Sequence, residues 1–299
     1  MQINSNMTPN ILADLQQSQS TLNTALQQVA TGLSVTVPSD NPTASAAMVQ
    51  NTIETGNVDQ YTKNISTVLT SVESASSILS NVVTALTQAV SLGTEGATGT
   101  SSTTNMQSIA TQVQGILSTV VSQANTSVAG AYLFAGTGVS TPFTADSSSS
   151  TGYTYNGNTD QTSAAVGDTL NVEVNLPGSQ VFSNSSNSVL SSLSSLVLAL
   201  NSGDSASIET ATNSVSSAIS YIGKQQSFYS NAESQLNSQE TFLQQDTVSL
   251  TTQATNLVGV NLATAASNLA QAETDNSAAL AATAKVLPNT LLNYLSAPS

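Results

Sequence analysis

The fold is decided by one stretch near the C-terminus, residues 208–257, which reads IETATNSVSSAISYIGKQQSFYSNAESQLNSQETFLQQDTVSLTTQATNL. A strict seven-residue apolar repeat of this length is typical of one long helix with a single apolar seam. At about 1.5 Å per residue, roughly 50 residues span about 75 Å, so the helix is longer than an ordinary globular domain is wide. The repeat consists of Ile208, Val215, Ile222, Tyr229, Leu236, Leu243, Leu250 and Leu257.

The companion positions one turn along this helix are small or polar, which argues against a free two-stranded coiled coil with two apolar positions in each heptad. A helix of this kind is better suited to lie against another helix of its own chain. The predicted partner is residues 43–92, which carry two interlocked seven-residue series. One series is Tyr61, Val68, Ala75, Val82 and Ala89, and the other is Ile65, Val72, Leu79 and Leu86.

Both ends of the chain also have helical patterns. Residues 10–33 repeat leucine at helical spacing, and Gly32 and the Pro38-Ser39-Asp40-Asn41-Pro42 stretch interrupt them. Either Ser39 or Asn41 can cap the helix that follows, with Pro42 in its first turn. Residues 262–295 form an Ala-rich helix with an apolar tip, Leu-Leu-Asn-Tyr-Leu, at 291–295.

The middle of the chain changes character. A loop is predicted at 93–104 and a third helix at 105–128. Six of the twelve aromatic residues lie within 130–182, where Asn156-Gly157 signals a tight turn and residues 171–175 alternate polar with apolar. This segment is predicted to be a small β domain, and helical patterning resumes at about Asn187.

The predicted fold class is therefore mainly α, an elongated antiparallel helical bundle or coiled-coil rod formed by the N- and C-terminal segments, with a small inserted β domain. We predict three domains. They are a terminal helical polymerisation domain (1–42 with 262–299), a helical rod (43–129 with 183–261) and the β insertion (130–182).

Composition excludes several classes of function. The chain has 17 acidic residues, three lysines, no arginine and a formal net charge of −14, which argues against nucleic-acid binding and against a polybasic membrane patch. Cysteine and histidine are absent, so zinc sites of the Cys/His type, His-based triads and disulfides are excluded. No apolar run reaches about 18 residues, and the N-terminus does not resemble a Sec signal peptide, so neither a membrane span nor Sec export is expected.

The remaining polar motifs are weak. Gly136-Thr137-Gly138 lacks the full spacing of a nucleotide loop, and no P-loop lysine follows it. Asp160 and Asp168 are better explained as surface turn residues than as a catalytic pair, and no ligand spacing supports a calcium site there. We therefore predict no catalytic residue, no cofactor and no metal ligand, and an enzyme is the weakest interpretation.

Three groups of residues resemble the flagellin family, in particular its hook-associated protein 3 branch, which joins hook to filament. The first is Val-Ala-Thr-Gly-Leu-Ser-Val at 29–35, followed by Pro-Ser-Asp-Asn-Pro-Thr-Ala-Ser-Ala-Ala at 38–47. The second is Gly-Ala-Tyr-Leu-Phe-Ala-Gly at 130–136, and the third is Pro-Gly-Ser-Gln-Val-Phe at 177–182. The ending at 291–295 is also similar to that of the family.

The resemblance implies an extracellular structural protein of the bacterial flagellum, needed for motility and exported by the flagellar type III apparatus. Implied partners are further copies in a ring-like oligomer, a neighbouring hook-associated protein, flagellin, and a cytoplasmic export chaperone at the C-terminal helix. One departure is that a basic residue, frequent in the family just after the glycine at the position of Gly32, is replaced here by Leu33. Packing and neutral hydrogen bonds are expected to replace any charged contact there.

The terminal helices are the predicted assembly interface. An isolated helix pair is marginal in water, so we expect both termini to order only on polymerisation. Two alternatives remain, filament flagellin and a secreted binding module that uses the β domain. In the leading prediction the leucines of the first helix face those of the last, and the interface comprises Leu12, Leu15, Leu22, Leu26, Leu262, Leu269, Leu280, Leu287, Leu291 and Leu295.

Overall fold

The computed structural model describes residues 7–98, 102–185 and 187–295. Their helices are α1 (Met7–Thr31), α2 (Pro42–Ala97), α3 (Thr103–Ala124), α4 (Gly178–Val181), α5 (Val189–Ser202), α6 (Ser205–Val258) and α7 (Leu262–Leu295). Three antiparallel strand pairs separate α3 from α4: β1 (Ser127–Val128) with β2 (Ala131–Tyr132), β3 (Phe143–Ala145) with β4 (Tyr153–Tyr155), and β5 (Ser163–Ala165) with β6 (Asn171–Glu173). The predicted fold class, mainly α with a small inserted β region, is confirmed.

The chain forms two compact units. Unit 1 comprises Met1–Asn57 and Gln245–Ser299, and unit 2 comprises Val58–Gln244. The long helices α2 and α6 contribute residues to both units. These boundaries describe contacts between Cα atoms, and the three-domain division expected from the sequence remains a prediction.

The side chains of the apolar seam of α6 form the centre of the core. Its residues from Ile208 to Leu250 are all buried, and Leu257 is half-buried. In α2 the matching core is formed by both predicted series, except that Tyr61 and Val68 are only half-buried. Helix α3 packs against α5 with its own buried face. The fully buried or nearly fully buried residues of α2 in unit 2 are Val58, Ile65, Val72, Ala75, Leu79, Val82, Leu86 and Ala89.

Helix α2 is longer than its sequence pattern predicts. The loop expected from Gly93 begins only after Ala97, because Gly93 and Gly96 are helical residues at a close helix crossing. A Cβ atom on Gly93 would lie 2.3 Å from Thr212 Oγ1, and one on Gly96 would lie 2.5 Å from Leu200 Cδ2. The glycines therefore allow α2 to approach α5 and α6 closely, and their interpretation as loop residues is wrong.

The β region of unit 2 has an aromatic core. Phe134 and Phe143 each contact Phe182 edge to face, with ring centroids 5.1 and 5.8 Å apart. The alternation at 171–175 is confirmed, since Val172 is buried in β6. The turn between β3 and β4 lies at 146–152. Asn156-Gly157, by contrast, follows β4 and does not form a hairpin turn.

Two contacts fasten the β region to the long helices within unit 2. The backbone N–H of Leu176 donates to the hydroxyl of Tyr229 over 3.1 Å, and burial raises the pKa of Tyr229. The hairpin β5–β6 reaches both helices, since Asn64 of α2 donates to the carbonyl of Ala165 and Gln239 of α6 donates to that of Val166. The β region is therefore anchored to the seam that decides the fold.

Helix α2 also contains an 18-residue window of mean hydropathy 1.2, which by length and composition alone is apolar enough to cross a membrane. Within unit 2 the same helix has a continuous stripe of buried side chains, including Val72, Leu79 and Leu86. Core helices are apolar along their buried stripe, and 33% of this window is buried.

Candidate assembly surface of the terminal helices

The Pro38–Pro42 stretch forms a turn organised by two side chains. Asp40 Oδ2 accepts hydrogen bonds from the backbone N–H groups of Val37 (3.1 Å) and Thr36 (3.0 Å), and these bonds lower the pKa of Asp40. Asn41 Oδ1 accepts from the N–H of Ala44 (3.0 Å), so Asn41 rather than Ser39 is the cap of α2. The turn thus determines where α2 begins.

A short antiparallel bridge joins the end of α1 to the start of α7. Gly32 has φ +72°, a left-handed conformation that favours glycine after a helix, and its carbonyl accepts from the N–H of Val260 over 3.0 Å. Ser34 returns two bonds, because its N–H and its hydroxyl both donate to the carbonyl of Val258, over 2.6 and 3.0 Å. Neutral groups make every one of these contacts, as the absence of a basic residue at 33–35 led us to expect.

Asn261 starts α7 by accepting from the N–H of Ala263 over 3.0 Å. Since α1 ends where α7 begins, the two helices pack antiparallel. The contact face is narrow and made of small residues, since only Ala25, Ala265 and Ala272 are buried apolar residues among the described side chains of the pair.

The structure divides the predicted leucines into three groups. Leu15, Leu22 and Leu269 are half-buried beside the alanine contact. The side chains of Leu287, Leu291 and Leu295 lie outside the described residues. Four leucines that were expected to face one another are instead exposed: Leu12, Leu26, Leu262 and Leu280.

The helix pair has two different flanks. One is a shallow polar groove of about 400 Å³, whose lining includes Thr21 and Thr24 of α1 and Asn268, Gln271 and Asp275 of α7. With 3.6 residues per turn, the exposed leucines of each helix fall on the flank away from these groove residues. Because the polar flanks meet at the groove, the four exposed leucines share the opposite side of the pair.

Exposed apolar side chains are concentrated in unit 1. Nine of the thirteen large apolar side chains that are exposed in the described residues belong to unit 1, although unit 2 is the larger unit. Scattered exposed apolar residues are normal, so it is their concentration in unit 1 that makes this unit the candidate region for contacts with other molecules. The nine are Leu12, Leu26, Leu33, Val37, Val49, Ile53, Val248, Leu262 and Leu280.

The interface predicted from the sequence lacks five of these residues, namely Leu33, Val37, Val49, Ile53 and Val248. Val49 and Ile53 are spaced one helical turn apart on α2, but they lie off its two main apolar series. A second, weaker series of Ala46, Val49 and Ile53 was the available signal.

The polar motifs weighed for chemistry have structural roles in unit 2. Asp168 accepts a hydrogen bond from the hydroxyl of Tyr61 over 3.0 Å. Thr137 is held by the side chain of Asn158, which accepts from its N–H over 2.8 Å and donates to its hydroxyl over 2.6 Å. Position 136 requires glycine, because its φ is +72° and a Cβ atom would clash with Asn158.

Comparison with known proteins finds a family model that matches part of the chain. Residues 3–138 match the family model of the bacterial flagellin N-terminal helical region. A search of curated protein sequences finds no match.

Several solved structures share the fold. A protein described as a flagellar hook-associated protein of Vibrio parahaemolyticus aligns with a TM-score of 0.68 at 17% identity, over 74% of this chain and 100% of that one. FlgL of Bacillus cereus aligns with a TM-score of 0.59 at 21% identity, over 69% of this chain and 99% of that one. The flagellar junction protein FlgL of Legionella pneumophila aligns with a TM-score of 0.60 at 16% identity, over 71% of this chain and 100% of that one.

The resemblance inferred from the sequence motifs is thereby confirmed, both in the N-terminal helical region and in the fold. The family model covers the N-terminal part of the chain, and the solved structures show that the fold is shared.

Proposed function

We propose that this chain, with its flagellin-type N-terminal region, is a non-enzymatic subunit that joins the flagellar hook to the filament. The observation that carries the proposal is the concentration of exposed apolar side chains in unit 1, which holds both terminal helices. Residues 1–42 with 262–299 form the polymerisation domain in this proposal, residues 43–129 with 183–261 form the rod, and 130–182 form the β insertion. The Legionella pneumophila relative in fold is named as a junction protein, which supports the same role.

Assembly buries the leucine-bearing side of the α1–α7 pair against neighbouring subunits. Full burial of a leucine contributes about 1.5–3 kcal/mol, and Leu12, Leu26, Leu262 and Leu280 are already partly covered, so each adds about 1 kcal/mol. Association of two proteins costs about 4–15 kcal/mol in lost freedom. One such contact is therefore insufficient, and a subunit held by several neighbours at once, as in a ring, is the stable arrangement.

The remaining partners follow from the family resemblance. The subunit contacts further copies of itself in a ring-like oligomer, a neighbouring hook-associated protein, and flagellin. Before export through the flagellar apparatus, a cytoplasmic chaperone covers the C-terminal helix, including Leu287, Leu291 and Leu295. The exposed leucines of α7, such as Leu262 and Leu280, need such protection from aggregation before assembly.

Two kinds of variant test the assembly surface. Truncation after Val260 removes α7, and we expect the remaining core to stay folded by circular dichroism while incorporation into flagella is lost. The double variant Leu262→Asp/Leu280→Asp keeps α7 and changes only exposed side chains, so it should fold normally and still fail to incorporate. Leu198→Asp, an equally exposed leucine of unit 2, is the matched control and should incorporate like the unmodified chain.

The readout is labelled electron microscopy of isolated flagella. Label confined to the point where hook meets filament supports the junction role. Label along the whole filament, together with growth of long filaments from purified protein on seeds, would instead identify filament flagellin. Incorporation of the truncated chain would refute the role given to the terminal helices.

A further inference from the structure

We propose a second contact between copies of this chain, in which the outer face of α2 in one copy packs against the outer face of α6 in the next. Both faces belong to unit 1, within residues 42–57 and 245–258. The proposal rests on the proposed function, since it supposes that copies assemble, but it concerns a surface distinct from the terminal helices.

The inner faces of the two helices are defined by a buried hydrogen bond. Asn51 of α2 is 4% exposed, and its side chain donates to the backbone carbonyl of Leu250 in α6 over 3.0 Å. At about 100° per residue, Val49 and Ile53 lie roughly 160° around α2 from Asn51, and Val248 lies roughly 160° around α6 from Leu250. The two outer faces therefore point away from each other.

These outer faces are uncovered in the single chain. Val49 is 61% exposed, Ile53 is 53% exposed and Val248 is 66% exposed. A β-branched side chain loses little rotamer freedom when it is buried, so all three are suited to an interface. Their exposure in a helix whose other face is already packed indicates that another molecule covers them.

The charge distribution favours a second copy as that molecule. The chain carries a net charge of −14, so two copies repel each other wherever acidic side chains meet. The outer residues of both helices in unit 1 are uncharged, and the nearest charge is that of Glu54 at the border of the α2 face, whose carboxylate accepts from the side chain of Gln50 over 2.9 Å. The outer residues are Ser45, Ala46, Val49, Gln50, Thr52 and Ile53 on α2, and Gln245, Val248, Ser249, Thr251, Thr252 and Thr255 on α6.

The two faces are also complementary in size. On α2 the stripe Ala46, Val49, Ile53 and Gly56 has the three- and four-residue spacing of helix packing, with large side chains between two small ones. Apart from the backbone of α2 and the two neighbouring residues, no atom of the described residues lies within 4 Å of the position that a Cβ would take on Gly56. The facing stripe of α6 is mostly threonine and valine, so Val49 and Ile53 fit between its shorter side chains.

The placement of the faces determines the symmetry. Because the faces differ and lie on opposite sides of the α2–α6 pair, the contact is heterologous, and each copy offers one face to each of two neighbours. A heterologous contact generates a ring or a helical array rather than a closed dimer. The ring-like oligomer of the proposed function is of this kind.

Cysteine cross-linking tests both the contact and its symmetry, because the chain contains no cysteine of its own. The double variant Val49→Cys/Val248→Cys is produced in cells that lack the unmodified chain, and isolated flagella are oxidised and examined on non-reducing gels. We expect a ladder of linked copies. A mixture of the two single variants should give dimers only, and neither single variant should link to itself.

Val139→Cys/Val248→Cys is the matched control. Val139 is 92% exposed in unit 2, outside both faces, so this variant should incorporate without forming a ladder. Self-linking of Val49→Cys alone would show an isologous contact and overturn the proposal. A double variant that incorporates at the junction but stays unlinked would also overturn it, and would leave the proposed function intact.

Substitution gives a second readout. Val49→Lys places a charge on the outer face and should reduce incorporation at least tenfold, whereas Val139→Lys should not change it. Unchanged incorporation of Val49→Lys would overturn the contact. If the unmodified chain itself is absent from the flagellum, the proposed function fails and this inference fails with it.

Discussion

At the scale of single residues, the turn before α2 explains most of the motif that first suggested the family. Asp40 ties down the backbone at Thr36 and Val37, Asn41 caps the helix, and Pro42 starts it without needing a donor. Ser34 then replaces a charged contact with two neutral hydrogen bonds to the carbonyl of Val258. A motif that looks like a family signature is thus also a set of local backbone requirements.

Asp40 gives a pH-dependent prediction. Its folded-state pKa lies below the ordinary value of 3.8, so its stabilising effect is fully present above that pH and is lost as the pH falls through the folded pKa. In Asp40→Ala we expect amide exchange at Thr36 and Val37 to accelerate about tenfold at neutral pH, because both N–H groups lose their acceptor. The difference from the unmodified chain should shrink below about pH 4.

Asp40→Asn separates charge from hydrogen bonding in the same exchange experiment. It retains a neutral acceptor oxygen, so at neutral pH its exchange rates should lie between those of the other two proteins. At low pH the unmodified chain should approach the rates of Asp40→Asn, because its carboxylate becomes a neutral acceptor. Equal exchange in Asp40→Ala and the unmodified chain at neutral pH would contradict the role given to this carboxylate.

At the scale of elements, glycine has opposite meanings in different helices. Gly93 lies in α2 at a crossing with no room for a Cβ, whereas a Cβ on Gly115 of α3 would have no neighbour within 4 Å. The first glycine is required by packing, and the second only weakens its helix. Sequence alone cannot distinguish these two cases, which is why Gly93 was assigned to a loop.

The contrast predicts opposite effects of one chemical change. Gly93→Ala forces a methyl group against Thr212 and should lower the free energy of unfolding by about 1–3 kcal/mol, which exceeds the helix-propensity gain. Gly115→Ala should raise it by up to about 1 kcal/mol. Urea denaturation measures both, and a stabilised Gly93→Ala would show that the crossing is looser than described.

The terminal helices differ from the long helices in how much they bury. In α1 and the described part of α7, the buried apolar residues are three alanines, whereas α6 buries an almost continuous seam. Local opening free energy follows the burial of apolar side chains. We therefore predict that amides of α1 and α7 exchange much faster than those of α6 in the free subunit.

The exchange measurement must be made at a concentration where the protein is monomeric. Protection of α1 and α7 should then rise on assembly, as expected for helices stabilised by neighbouring subunits. Slow exchange of both helices in the monomer would contradict the idea that assembly completes their folding.

At the scale of the whole molecule, the chain combines a large negative charge with assembly faces that carry little charge. The outer faces of α2 and α6 are uncharged, and Glu273 is the charged residue on the leucine side of α7 within its described side chains. Charge on the remaining surface keeps free copies apart, while contact surfaces with little charge limit repulsion where copies meet. Three lysines cannot supply a network of salt bridges between subunits. Shape and apolar burial must therefore provide the specificity of assembly.

This balance predicts the effect of salt. Screening weakens the repulsion between acidic copies, and no attractive ion pairs are lost at the proposed interfaces. Self-association of the purified chain should therefore be at least as strong at about 0.5 M salt as at about 0.05 M. Sedimentation velocity measures it, and association that weakens with added salt would point to charged contacts that the proposal lacks.

Sequence by itself determined the mainly α fold, the single long helix at 205–258 and the polar turn before α2, because each is a local or periodic property of the chain. It also selected Leu12, Leu26, Leu262 and Leu280 as candidate interface residues by spacing. It did not place them, since a repeat identifies a stripe but not what covers it. Only the tertiary structure decided that the α1–α7 contact uses alanines, that these leucines stay exposed, and that α2 and α6 each turn an uncharged face outward. Exposure depends on which helices pack together and at what angle, and those relations join residues that are far apart in the chain.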